Sequence, residues 1–166
     1  MNSDGSDRCK KALAHMQRLC ARREYCRFDL DVKLRRYELE EKEREEILKS
    51  LVRDGFVDDS RYARAFVRDK TALNGWGPVK VRMALRQKRI DDTIIDGYLG
   101  EIPGEKTRSK LESLLRSKAG RVKEDEARVA VKAKLTRFAL SRGFDYGMVI
   151  DVVDDIMKDI FKPDKN

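Results

Sequence analysis

The chain has 166 residues, of which 38 are Lys or Arg and 30 are Asp or Glu, for a formal net charge of +8. Charged residues make up 41% and aromatics 7%, against about 25% charged in an average soluble domain, which excludes a thick β-sandwich core and fits long helices with narrow apolar stripes. The longest apolar runs fall far short of the about 20 residues of a membrane span, and the polar, acidic stretch Met1 to Asp7 reads as neither signal nor transit peptide.

Apolar residues recur at three- and four-residue spacing almost throughout, so the expectation is helix after helix with no sheet. Residues 1–8 read as a disordered tail. Ala12, Leu13, Met16, Leu19 and Cys20 mark a first helix, and Phe28, Leu30, Val32, Leu34 and Tyr37 a second. Ile47, Leu48, Leu51 and Val52 mark a third, which Gly55 can end in a left-handed conformation. Asp58 and Asp59 can cap a fourth helix lined by Tyr62, Ala63, Phe66, Val67 and Leu73. The breaker cluster from Asn74 to Pro78 follows, with Pro78 placed as first residue of a fifth helix holding Val81, Met83, Ala84 and Leu85. Asp91 and Asp92 open a short sixth helix. Three further helices run near Lys106 to Lys118, Glu124 to Ser141 and Asp145 to Lys158.

These stretches repeat. Val81, Leu85 and Ile90-Asp91 have the spacing of Leu135, Ala139 and Phe144-Asp145, and Leu30, Leu34 and Leu39 form a weaker third copy. A period of about 45 to 50 residues belongs to helical arrays. The expected fold is therefore all-α: three tandem three-helix repeats forming an elongated, curved array. The repeats span residues 9–56, 57–102 and 103–160, with 161–166 as a C-terminal tail. A unit that small buries little alone, so neighbours must share apolar faces.

Charge is unevenly placed. From Arg61 to Arg89 the chain carries nine basic residues and one acid, Asp69, so this segment alone accounts for the net charge of +8. Acids are in excess from Glu38 to Asp59 and again from Asp145 to Asn166. A basic centre between acidic blocks points to a polyanion or an acidic protein groove as partner. Arg61, Arg64 and Arg68 fall on one helical face, and Arg82, Arg86 and Arg89 on another. Trp76, the lone tryptophan, sits in the turn between; it either plugs a helix–helix corner or anchors a partner. Gly75 and Gly77 beside it would allow close backbone approach.

Chemistry has little to stand on. His15 is the only histidine and has no nucleophile or orienting acid beside it. Cys9, Cys20 and Cys26 form no Cys-x-x-Cys pair, so neither a zinc site nor a disulfide framework is expected. No phosphate-binding glycine loop occurs. The acidic pairs Asp58-Asp59 and Asp91-Asp92 sit at helix starts, where they offset backbone N–H groups, and Asp154-Asp155 lies on an acidic helix. No catalytic residue, metal or cofactor is expected.

The stretch from Gly55 to Lys70, continued from Trp76 to Ile90, resembles the RecX family, bacterial regulators of the RecA recombinase. The approach to the second helix at Arg22 to Cys26 and the exit at Arg142 to Tyr146 fit as well, and the tryptophan-containing turn is similar to the Bacteroidetes branch. The resemblance implies a cytoplasmic, monomeric binding protein rather than an enzyme, built of three-helix repeats that lie in the groove of the RecA filament and promote its inhibition or disassembly. The expected contact residues are Arg61, Arg64, Arg68, Lys70, Trp76, Lys80, Arg82, Arg86 and Lys88. Glu38 and Arg89 depart from the family pattern, standing where relatives often have glycine. A left-handed turn there would cost about 1 kcal/mol, so these turns are expected to close differently. A second reading stays open: Pro78 to Leu99 as a helix-turn-helix that binds single- or double-stranded DNA directly. A magnesium-dependent nuclease is a third.

Overall fold

Each stretch of helical spacing yields a helix among the described residues, although the helix expected from near Glu124 begins only at Arg128. The computed structural model describes residues 3–123 and 125–162, and among these it holds nine α-helices, one 3₁₀ turn and no strand. The helices are α1 (Ser3–Cys20), α2 (Arg27–Leu34), α3 (Glu41–Arg53), α4 (Asp59–Ala72) and α5 (Pro78–Gln87). They continue with α6 (Asp92–Gly100), α7 (Gly104–Ala119), α8 (Arg128–Ser141) and α9 (Tyr146–Ile160). No helix among the described residues is long and apolar enough to cross a membrane.

Contacts divide the chain into two units, one of Met1–Phe66 with Leu85–Ile95 and the other of Val67–Ala84 with Asp96–Asn166. In the first unit α1 and α2 pack on α3, and Ala12, Met16, Leu30, Leu34, Ile47, Leu48 and Leu51 close its core. A capping box starts α3, in which the Glu40 N–H donates to Glu43 Oε2 at 2.8 Å. It ends at Arg53, and Gly55, φ +77°, turns the chain so that the N–H groups of Phe56 and Val57 both reach the Leu51 carbonyl, at 2.9 and 3.2 Å. In the second unit α7, α8 and α9 pack around Leu111, Leu115, Val131, Leu135, Phe144, Val149, Val153 and Ile156. The division does not follow the repeat boundaries read from the sequence: α4, α5 and α6, the expected second repeat, each give residues to both units.

The repeated pattern is nonetheless visible side chain by side chain. Leu30, Leu34 and Leu39, Val81, Leu85 and Ile90, and Leu135, Ala139 and Phe144 are all buried. Before each third member the chain turns left-handed, at Glu38 (φ 52°), Arg89 (φ 55°) and Gly143 (φ 83°). The turns at Glu38 and Arg89 thus close as a glycine turn does, correcting the expectation that they differ. The Ile90 N–H reaches back to the Leu85 carbonyl at 3.1 Å, as the Phe144 N–H does to Ala139 at 3.4 Å. Burying an apolar side chain stabilises by about 1.5–3 kcal/mol, enough to offset the strain of one non-glycine residue at positive φ.

Several expectations need correction. Residues 3–8, expected as a disordered tail, lie in α1, where Asp7 pairs with Lys11 at i, i+4. Residues 1–2 and 163–166 of the expected tails, and Glu124, lie outside the described residues. The second helix stops at Leu34 and passes into a 3₁₀ turn, Arg35–Tyr37. Leu73 and Met83, counted among the apolar residues of the fourth and fifth helices, are 81% and 59% exposed. Met83 lies half a turn away from Val81 and Leu85 on α5, so the helix cannot bury all three.

Candidate partner-binding surface

The nine expected contact residues sit on α4, on α5 and in the connections after each, and they fall into both units. Acids start the helices around them. Asp58 accepts from the Arg61 N–H at 3.0 Å to cap α4, and Asp91 accepts from the Thr93 N–H at 2.8 Å to cap α6. Hydrogen bonds from the Thr93 hydroxyl and N–H hold the Asp91 carboxyl below its usual range. Asp59 caps a different helix, accepting from the first N–H of α2, that of Arg27, at 2.8 Å. Asp154 pairs with Lys132 at 2.7 Å and Asp155 with Arg108 at 3.2 Å. Each acidic pair therefore has a structural occupation.

In the first unit Arg61, Arg86 and Lys88 are each engaged by a carboxylate. Arg61 Nε meets Glu24 at 2.6 Å, Arg86 holds Asp92 through two bonds at 2.8 and 3.1 Å, and Lys88 Nζ meets Asp29 at 2.6 Å. Lys88 also lines a pocket of about 420 Å³ in which Arg27 faces Glu45 and Arg44 faces Asp31. Arg64 is exposed and has no ion pair among the described residues.

In the second unit Arg68 pairs with its neighbour Asp69 at 3.0 Å, and Arg82 pairs with Asp96. Lys70 and Lys80 place their ammonium groups over the Trp76 ring, 4.8 and 4.5 Å from its centroid. The Trp76 backbone N–H donates to the Lys70 carbonyl at 2.9 Å, which closes the turn after α4. Behind it the chain makes a backbone clasp. The Gly77 N–H donates to the Arg142 carbonyl at 2.7 Å and the Val79 N–H to the Gly143 carbonyl at 3.0 Å. The expected close approach at Gly77 is thus realised. Trp76 sits half-buried in the turn between α4 and α5, under a two-lysine cap.

The segmental charge excess is smaller in space than along the chain. Arg61, Arg68, Arg82, Arg86 and Lys88 each have a carboxylate within ion-pair distance. Crowded cations do not by themselves demand an external anion here. Such exposed pairs contribute only about 0.2–1 kcal/mol, so a partner's carboxylates or phosphates can replace them at little cost. Sequence reasoning missed Lys110 and Arg142, which reach the Ala72 and Asn74 carbonyls at 3.1 and 3.2 Å and finish α4 from afar. No periodicity announces a contact across 38 or 68 residues.

The remaining nucleophilic groups are quiet. His15 hydrogen-bonds the Tyr37 hydroxyl. Burial pushes the Cys26 thiol up to about 12, and raises Cys20 and Cys9 as well. No cluster of three or more His, Cys, Asp or Glu able to hold a metal occurs among the described residues.

Residues 58–99, from the α4 cap to the end of α6, match the family model described as RecX, second three-helix domain. The regulatory protein RecX of Mycobacterium sp. (strain JLS) is 31% identical over 150 residues, covering 89% of this chain and 82% of that relative. The chain belongs to the RecX family. Regulatory protein RecX of Clostridium acetobutylicum is 30% identical over 134 residues, covering 79% of this chain, which in turn spans 62% of that relative's length. The crystal structure of RecX from Lactobacillus salivarius superposes with a TM-score of 0.79 at 23% identity, covering 91% of this chain and 97% of that one. A second crystal structure, of a regulatory protein RecX, gives 0.80 at 26% identity over 92% of this chain and 74% of the other. The all-helical fold is shared with these RecX structures.

Proposed function

We propose that this RecX-family chain is a regulator that binds the RecA recombinase filament on DNA and inhibits or disassembles it, as a cytoplasmic monomer and without chemistry of its own. The contact residues in this reading are Arg61, Arg64, Arg68, Lys70, Trp76, Lys80, Arg82, Arg86 and Lys88. The three-repeat organisation belongs to the same proposal.

One observation carries the choice of a protein filament over bare DNA. In a helix-turn-helix the second helix enters the major groove, and here that helix would be α6. Its sequence holds Asp92 and Asp96 and no Lys or Arg, with Asp91 at its cap. Carboxylates at a groove-reading helix would meet phosphates of like charge. The cations lie instead on α4 and α5, whose ion pairs can be exchanged for those of an acidic groove.

Co-sedimentation with RecA filaments assembled on single-stranded DNA tests this reading. The protein is expected in the pellet only when recombinase is present. Pelleting with DNA alone, and release by moderate salt with the steep dependence of phosphate binding, would favour the DNA-binding reading.

A further inference from the structure

The α8 helix is apolar on two sides. Val131, Leu135 and Ala139 face the core of the second unit, while Val129, Ala133 and Leu140 form an exposed stripe on the opposite side. Val129 is 81% and Leu140 39% exposed. Val129, Ala133 and Thr136 floor a shallow groove of about 500 Å³, walled by Arg128, Lys132 and Arg137, and Leu140 continues the same side of the helix beyond it. Single exposed apolar residues need no explanation, but a continuous stripe does.

The charge of this face tells what fits it. From Arg128 to Ser141 the helix carries no acid at all. Lys132 is neutralised by Asp154 at 2.7 Å. Arg128 only stacks over Phe161, 5.7 Å from the ring centroid, and Arg137 has no ion pair among the described residues. Two guanidiniums therefore bracket the stripe, nine residues and about 13 Å apart along the helix.

We propose that the α8 face docks an acidic amphipathic helix of the recombinase, with aliphatic side chains on Val129, Ala133 and Leu140 and a carboxylate near each bracketing arginine. The proposal rests on the filament-binding reading and adds to it a contact outside α4 and α5. An aliphatic floor without an exposed aromatic suits a helix laid in a groove and gives nucleic-acid bases nothing to stack on. A second copy of this chain suits it less: its acidic helices α3 and α9 bury their apolar rows, leaving Val52 alone exposed on α3 and Tyr146 and Ile160 at opposite ends of α9.

The test compares the wild-type chain with Val129→Asp/Leu140→Asp, and separately with Arg137→Glu, in titrations onto recombinase filaments. Circular dichroism confirms helicity, which these exposed substitutions should leave intact. The proposal expects wild type to bind and each variant to lose about tenfold or more in affinity. Equal binding by both variants overturns it and leaves the filament-binding reading standing. If wild type itself fails to bind the filament, the reading beneath the proposal fails, and the proposal with it. Two further results overturn the docking alone: a parallel loss of binding to naked single-stranded DNA, or a wild-type dimer that the aspartates split to monomers.

Discussion

A Cβ placed on Gly77 would lie 2.3 Å from the Gly143 carbonyl oxygen, and one on Gly143 would lie 2.2 Å from the Lys80 Cβ. The two glycines allow the turn before α5 and the turn before α9 to touch backbone to backbone. Neither contact can relax by rotating a flexible side chain, since the obstacles are main-chain atoms and a Cβ. Gly77→Ala and Gly143→Ala are each expected to destabilise by about 2–4 kcal/mol. Gly55→Ala, with φ +77° but nothing within 4 Å, should cost only about 1 kcal/mol. Thermal denaturation of the three variants separates steric from conformational cost.

Glu38 and Arg89 offer the reverse experiment. Both hold positive φ without being glycine, so Glu38→Gly should relieve strain and stabilise by up to about 1 kcal/mol. Arg89→Gly should gain less, because the Arg89 guanidinium lies 5.0 Å from the centroid of the Phe28 ring and that contact is lost. Urea denaturation midpoints give the order.

These positions mark the limit of what the sequence could tell. The spacing of Leu30, Leu34 and Leu39 and of its two echoes was readable because burial follows helical period. The left-handed turns at Glu38 and Arg89 were not, since only glycine advertises positive φ and here the buried neighbour imposes it. The basic residues of α4 and α5 were legible as a count, and their faces as a spacing. Their partners were not: Glu24 lies 37 residues before Arg61 and Asp29 lies 59 before Lys88. Summing charge along the chain therefore overstated what these helices leave uncompensated.

Alkaline pH should loosen the first unit. Burial pushes the Cys26 thiol from 9.0 up to about 12 and the Tyr62 phenol from 10.0 up to about 12. Both groups ionise more readily in the unfolded chain, so their contribution is full below about pH 9 and is lost as pH rises toward 12. Melting temperature is expected to fall steadily between pH 9 and pH 11, and Cys26→Ala with Tyr62→Phe should flatten that fall. At neutral pH the Cys26 thiol should resist an aromatic disulfide reagent until the protein is unfolded.

Charge reversal on α4 and α5 should separate paired from unpaired cations. Arg64→Glu disturbs no ion pair of the described residues and is expected to leave melting unchanged within about 0.5 kcal/mol. Arg82→Glu places a second carboxylate beside Asp96, so it should destabilise slightly more. Both should weaken filament binding, and the loss seen with Arg64→Glu is the cleaner report on the interface.

The most direct measurement is ATP hydrolysis by RecA on single-stranded DNA, titrated with this protein. Wild type should suppress turnover at concentrations near that of the recombinase, and Arg64→Glu/Arg68→Glu should require several-fold more. Undiminished turnover at saturating wild-type protein, under conditions where its helicity is intact, would contradict filament inhibition by this chain.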